Sequence, residues 1–159
     1  LYTALVVSGV APELIELEIT ESIFMDVSEL VQSHLKDAIE MGVSLSIDDF
    51  GTGHSCLATL KDIPASKLKI DRAFITPLPD DQRVLAMVKA ITQLGHELDM
   101  TVVAEGVENN AQLDAVLGAG VDAVQGFLHT RPMHAEQLLE WLLEQKKMDW
   151  SADYNNKRS

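Results

Sequence analysis

The sequence predicts an α/β fold on a parallel sheet of the (β/α) barrel type. Three observations carry this. Apolar patterning switches repeatedly between a period of two and a period of 3.6. Strand-like and helix-like stretches alternate along the chain, which asks for parallel strands joined by helices. The strands themselves do not read as continuous apolar runs. Leu17 and Ile19 alternate with Glu16 and Glu18, and Leu68 and Ile70 alternate with Lys67 and Lys69. Strands covered by helices on both faces, as in an open doubly wound sheet, read as near-continuous apolar runs. A polar face repeated over several strands suits the interior mouth of a barrel whose apolar face is covered by helices.

The elements follow in order. The opening LYTALVV is a short apolar segment, and LIELEIT (14–20) is the first strand. SELVQSHLKDAIEM (28–41) is a helix with Leu30, Leu35, Ala38 and Ile39 on its buried side, Ser28 as N-cap and Gly42 as its stop. SLSIDDF (44–50) is the next strand, and SCLATLKDI (55–63) a short helical connection before Pro64. SKLKID (66–71) is a third strand. DQRVLAMVKAITQLGHEL (81–98) is the clearest helix, with Val84, Leu85, Val88, Ile91 and Leu94 in one stripe. TVVAEGVE (101–108) is a fourth strand. NAQLDAVLGAG (110–120) is a helix with Asn109 as N-cap and Gln112 three residues on. DAVQGF (122–127) is a fifth strand and AEQLLEWLLEQKK (135–147) a last helix, with Trp141 as a core residue. Residues 1–147 form the domain and 148–159 a polar, frayed tail.

Composition narrows the function. The chain has 159 residues, enough for a sizeable core, and 47% are hydrophobic, which excludes a disordered chain. Its 25 acids against 12 lysines and arginines give a formal net charge of -13. That argues against a DNA or RNA polymer and against an anionic membrane surface as partner. A small anionic ligand remains open if metal ions meet its charge. Cys56 is the single cysteine, so no internal disulfide forms and a reducing, cytoplasmic location is expected. No apolar run is long enough to cross a bilayer, although the parent protein could carry an anchor elsewhere.

The chemistry gathers at the last polar residue of each strand. These are Glu18, Asp48 with Asp49, Lys69, Glu105 and Gln125. In a parallel barrel such strand ends share one face, where active sites are built. Each residue alone has an ordinary explanation. Asp-Asp before Gly is a turn signal, Glu18 a solvated strand residue, Glu21 a first-turn acid, Lys69 a surface lysine and Gln125 a cap. Their coincidence at equivalent positions is the stronger observation. Four acids against one lysine cannot all stay ionised at close range unaided, because like charges raise one another's pKa. A divalent cation resolves the conflict, and all-oxygen ligands favour Mg²⁺ or Mn²⁺ over zinc. A two-metal site, with ions roughly 3.5–4 Å apart, would use one aspartate as a bridge and its neighbour on the second ion. His34, His54, His96, His129 and His134 show no metal spacing, and Cys56 has no visible activating partner.

IELEITES, SIDDFGTGHS, LKID, VVAEGVE and QGF stand here in the order and spacing of the EAL-domain family, which this chain resembles up to about Gln145. The resemblance implies hydrolysis of cyclic di-GMP to linear pGpG with Mg²⁺ or Mn²⁺, two ions in the complete domain. It implies Glu18, Asp48, Asp49 and Glu105 as metal ligands and Lys69, Glu105 and Gln125 as the residues that hold or activate the attacking water. Glu21 would brace the Asp-Phe-Gly-Thr-Gly loop, which in this family also touches a dimer interface, so a homodimer of the complete domain is implied. Asp71 and Glu108 fall at positions implying substrate or loop contacts.

The sequence departs from the family in extent. Family domains begin with a strand bearing Glu-Ala-Leu, whose glutamate is a metal ligand, and a later strand adds an asparagine ligand. Neither segment occurs in these residues, and five strands are read where the family barrel has eight. The expectation is therefore an incomplete TIM-like (β/α) barrel, because a complete one takes roughly 250 residues. Open edges favour aggregation or edge pairing, and the isolated segment should be impaired. Two other readings compete. A non-catalytic cyclic di-GMP receptor or protein-interaction module usually lacks motif acids, which are intact here. An enolase-like proton abstraction leaves the DFGTG and EGVE motifs without a place.

Overall fold

The computed structural model describes residues 1–20, 29–53, 60 and 63–145. These fall in two units, Leu1–His129 and Thr130–Ser159. The first unit opens with helix α1 (Tyr2–Ser8), which buries none of its residues, and a 3-10 turn at Pro12–Leu14. Then follow β1 (Glu16–Thr20), α2 (Glu29–Glu40), β2 (Ser44–Phe50), β3 (Lys67–Ile70) and α3 (Arg72–Ile75). Next come α4 (Gln82–Glu97), β4 (Thr101–Glu105), α5 (Asn110–Gly118) and β5 (Ala123–Gln125). The second unit contains α6 (Ala135–Gln145).

All five strands are parallel and neighbours in space follow neighbours in sequence, β1-β2-β3-β4-β5. The sheet is not closed into a barrel. Register fixes its two faces. Ile19 pairs with Ile47, Ile47 with Leu68, Leu68 with Val102 and Ala104 with Val124. Alternation along each strand places these on one face and Glu18, Ser46, Lys67, Lys69, Val103 and Gln125 on the other. The apolar face is the core side: Ile47, Leu68, Ile70, Val102 and Ala104 have no exposed surface. Helix α4 packs closely here. A Cβ on Gly95 would lie 2.5 Å from Val102 Cγ2, so glycine sets the approach of helix to strand. Asp81 caps α4 by accepting from the backbone N–H groups of Arg83 and Val84.

Several expectations need correction. Leu30, placed on the buried side of α2, is 65% exposed, while Ala38 is buried and Leu35 and Ile39 pack against the core. The fourth strand stops at Glu105, because Gly106 takes φ +72° and turns the chain. The third ends at Ile70, and Asp71 instead caps the unforeseen helix α3 by accepting from the Ala73 N–H at 2.9 Å. The first strand begins at Glu16, after the 3-10 turn started by Pro12, and the fifth is only Ala123–Gln125. Trp141 is half-buried, and Leu138, Leu139, Leu142 and Leu143 on the same helix are exposed. The Ser28 cap, Glu21, His54, Cys56, most of the 55–63 helix and the tail lie outside the described residues. The stripe on α4 stands, with Val88 fully buried and Val84, Leu85, Ile91 and Leu94 packed against the core. Asn109 does cap α5, accepting from Gln112 N, but Gln112 Oε1 reaches back to Glu108 N, one residue before the cap.

The apolar face, not the charged one, should set stability. Leu68→Ala leaves a cavity beneath the central strand and is expected to cost about 2–5 kcal/mol. Urea unfolding of the two chains measures it; a cost below that of an exposed leucine, such as Leu30→Ala, would refute this placement of the core.

Candidate active site

The site forms where the polar face meets the C-terminal ends of the strands. Lys69 is its centre. Leu68 and Ile70, both buried without remainder, fix the backbone on either side and turn Lys69 onto the opposite face. Its side chain is 6% exposed. Its Nζ donates to Glu18 Oε1 of β1 at 2.7 Å. It also lies 2.7 Å from Glu105 Oε1 of β4 and 3.0 Å from Asp48 Oδ1 of β2. Acids from three strands thus converge on one ammonium. One layer nearer the strand starts, Lys67 pairs with Glu16 in the same cross-strand pattern.

Asp49 joins the group through a backbone irregularity. On a regular strand adjacent side chains point to opposite faces, so Asp49 would face away from Asp48. The β2–β3 register shifts between Ile47 and Phe50, and Asp49 takes φ +54°. Such a bulge re-aims a side chain, and aspartate tolerates the left-handed backbone better than most residues. Gly51 completes the turn at φ +97°, where a Cβ would meet the Phe74 ring at 2.7 Å. The result is that one carboxylate oxygen each from Asp48, Asp49 and Glu105 lie within 4.8 Å of one another.

The charges are unbalanced. Burial raises the Glu105 pKa, outweighing the lowering by Lys69, and its carboxyl sits above the ordinary range. Asp49 is also raised, first by burial and then by the charges of Asp48 and Asp71. For Lys69, burial pulls the pKa down, but Glu105, Glu18 and Asp48 together outweigh it and hold the ammonium protonated. Asp48 Oδ1 is buried and, despite its nearness to Nζ, has no hydrogen-bond partner of acceptable geometry among the described residues. A buried oxygen that its one nearby cation does not fully satisfy, among convergent carboxylates, offers a donor to a further cation. Oxygen-only donors fit a hard divalent ion such as Mg²⁺ or Mn²⁺.

The other candidates are placed less centrally. Glu18 reaches the group through Lys69 and is 49% exposed; it is not among the three converging carboxylates. Gln125 pairs in register with Glu105 but its side chain is exposed. The backbone beside it is tightly held. Val107 N donates to Gln125 O at 3.1 Å, Leu128 N to Val107 O at 3.0 Å, and a Cβ on Gly126 would fall 2.2 Å from Val107 O. Asp71 caps α3 and lies against Asp49. Glu108 is exposed, and its N–H is taken by Gln112. His34 is exposed, and His96 sits on the surface with Asp122, 2.9 Å away. Missing from the sequence reading were the bulge and the Gly126 contact. The pair of acids followed by Gly-Thr-Gly was the available sign of the first; nothing in a lone glycine announced the second.

The bulge makes a testable claim about backbone. Asp49→Asn keeps a residue suited to φ +54° and removes a crowded charge, so the thermal midpoint should hold or rise. Asp49→Val places a branched side chain in the left-handed region and should lose about 1–2 kcal/mol. Denaturant melts compare them; equal stability of the two variants would mean that Asp49 is not held in this conformation.

Comparison with known proteins places this geometry. The model of the EAL domain matches residues 1–132. The bifunctional diguanylate cyclase/cyclic di-GMP phosphodiesterase MucR of Pseudomonas aeruginosa is 48% identical over 136 residues, which are 86% of this chain and 20% of that protein. The signaling protein YkoW of Bacillus subtilis is 43% identical over 134 residues, 84% of this chain and 17% of that protein. A solved structure of the MucR phosphodiesterase in complex with c-di-GMP superposes with a TM-score of 0.81 at 47% identity, covering 86% of this chain and 56% of that one. Klebsiella pneumoniae BlrP1, in a manganese/cy-diGMP complex, gives 0.76 at 31% identity, covering 82% and 33%. The chain thus spans about a fifth of the length of the curated relatives it matches. With most of its residues matched by the family model and its five-stranded sheet superposing on solved members, the chain belongs to the EAL domain family.

Proposed function

We propose that this chain supplies part of the catalytic centre of a phosphodiesterase domain that hydrolyses cyclic di-GMP to linear pGpG with Mg²⁺ or Mn²⁺. The observation that carries the reading is the convergence of Asp48, Asp49 and Glu105 beside a buried lysine, with Asp48 Oδ1 in ion-pair range of that lysine but without a well-formed hydrogen bond among the described residues. Asp48, Asp49 and Glu105 would hold the metal, with Glu18 as a further ligand in a two-ion arrangement. Bound divalent ions supply an acidified water and neutralise charge on phosphoryl oxygens. Glu105, on the strand end beside Asp48 and Asp49, is placed to orient the water or accept its proton. Lys69 carries a fixed positive charge in a buried position, suited to holding the nucleophilic water and steadying charge on the phosphate. Gln125, in register beside Glu105, would orient the same water.

Two features support reduced turnover by the segment alone. Its sheet is open, and Glu18, Thr101 and Gln125 on the polar face are exposed. Water at the site weakens every electrostatic contact the reaction uses. The homodimer that the resemblance implies and a reducing cytoplasmic setting, for which the single Cys56 speaks, belong to the same proposal. No helix among the described residues is long and apolar enough to cross a membrane.

The test is cyclic di-GMP turnover with Mg²⁺ or Mn²⁺, on this chain and on a form extended upstream by the strands that begin a family domain. The extended form should release pGpG, lose activity on chelation, and fall by about 10²–10⁴-fold on Glu105→Gln. Binding of the dinucleotide by the extended form without turnover would replace the enzyme reading with a receptor.

A further inference from the structure

Four formal negative charges, from Glu18, Asp48, Asp49 and Glu105, face one lysine, and that lysine touches three of the four. Its Nζ occupies the place from which a cation would serve both β1 and β4. It stands 2.7 Å from Glu105 and 3.0 Å from Asp48, two of the three carboxylates that converge. A hard divalent ion binds carboxylate oxygen at about 2.0–2.6 Å. An ammonium in hydrogen-bond range and a divalent ion in coordination range of the same two carboxylates repel each other, and partial burial keeps the effective dielectric low. Both cannot keep full contact.

We infer that Lys69 is the resident cation of the metal-free cradle, and that a divalent ion entering among Asp48, Asp49 and Glu105 displaces its ammonium from Asp48 and Glu105. Metal entry and lysine release are then one coupled step. The inference rests on the metal reading given under Proposed function and adds a competition to it. The side chain has a place to go. With a single ion among Asp48, Asp49 and Glu105, Glu18 still holds the ammonium: it already accepts from Nζ at 2.7 Å, is half exposed, and lies outside the converging group. A four-carbon stem lets the ammonium stay with Glu18 while leaving the other two acids. The buried Asp48 Oδ1 is the oxygen that the lysine approaches at 3.0 Å without a well-formed hydrogen bond, and so the one it gives up most readily to an incoming ion.

The opposite role is equally concrete: Lys69 could prop the acids in a metal-ready arrangement. Metal affinity separates the two. Mn²⁺ is titrated into this chain and into its Lys69→Met variant, and free Mn²⁺ is followed by electron paramagnetic resonance. Competition predicts roughly tenfold tighter binding by the variant, since a repelling charge has gone. Equal or weaker binding overturns the inference while leaving the metal reading intact. No binding by either chain overturns the inference, and no binding by the extended form overturns the metal reading as well. A second measurement uses the unaltered chain, in case the variant does not fold. The ¹⁵N signal of the Lys69 ammonium is followed during Mg²⁺ titration; it should move and lose its protection from exchange as the site fills. A signal unchanged while Asp48 and Glu105 resonances shift overturns the inference.

Discussion

The contact of one ammonium with three carboxylates holds the polar face of this sheet together. Lys69 sits on the central strand, and its partners come from β1, β2 and β4. Without that positive charge the strand ends would bring four acids together with nothing between them, and each would raise the pKa of the others. Lys69 can serve because its neighbours are apolar. Leu68 and Ile70 anchor the strand in the core, so the lysine has no alternative but the opposite face. The placement of the charge is therefore a consequence of the hydrophobic pattern around it.

Stability and chemistry are divided between the two faces of the same strands. Buried ion pairs are weak evidence for stability, because removing charges from water offsets much of their attraction. The outer face, with Ile47, Leu68, Val102 and Ala104 fully buried under the helices, supplies the driving force. That leaves the inner face free to be electrostatically incomplete. Glu105 and Asp49 both stand above the ordinary carboxylate range, burial being the first cause in each. A site satisfied by its own residues would have no affinity to spare for a divalent ion.

Much of this was legible in the sequence, for identifiable reasons. Period-two alternation in IELEI and KLKI has only one physical outcome in a parallel sheet with one helix-covered face, so Glu16, Glu18, Lys67 and Lys69 were assigned correctly to the other. The stripe on α4 was equally plain. Strand ends were overrun where a turn depends on one glycine, as at Gly106, or on a cap, as at Asp71. Leu30 was misplaced because one helical period fits several residues at its margins, and packing chooses among them. The bulge at Asp49 was hidden for a different reason. Alternation assigns a face to every strand residue, and an irregular residue breaks the rule by which it would be found.

Five strands form this much of a site because of their order. A parallel sheet whose spatial order follows the sequence makes each strand pack on the one before it. Every contact at Lys69 is then made between strands one or two places apart. Such contacts need local register, which the pairings of Ser46 with Lys67 and Lys69 with Val103 provide, and not closure of the whole barrel. Closure acts on a different property. Thr101, Ala123 and Gln125 line the polar face and are exposed while it stays open. Covering them would lower the effective dielectric around the acids and lysine, strengthening interactions whose geometry already exists. The position of the charged groups is thus set by neighbouring strands, and the strength of their action by whatever shields them from water.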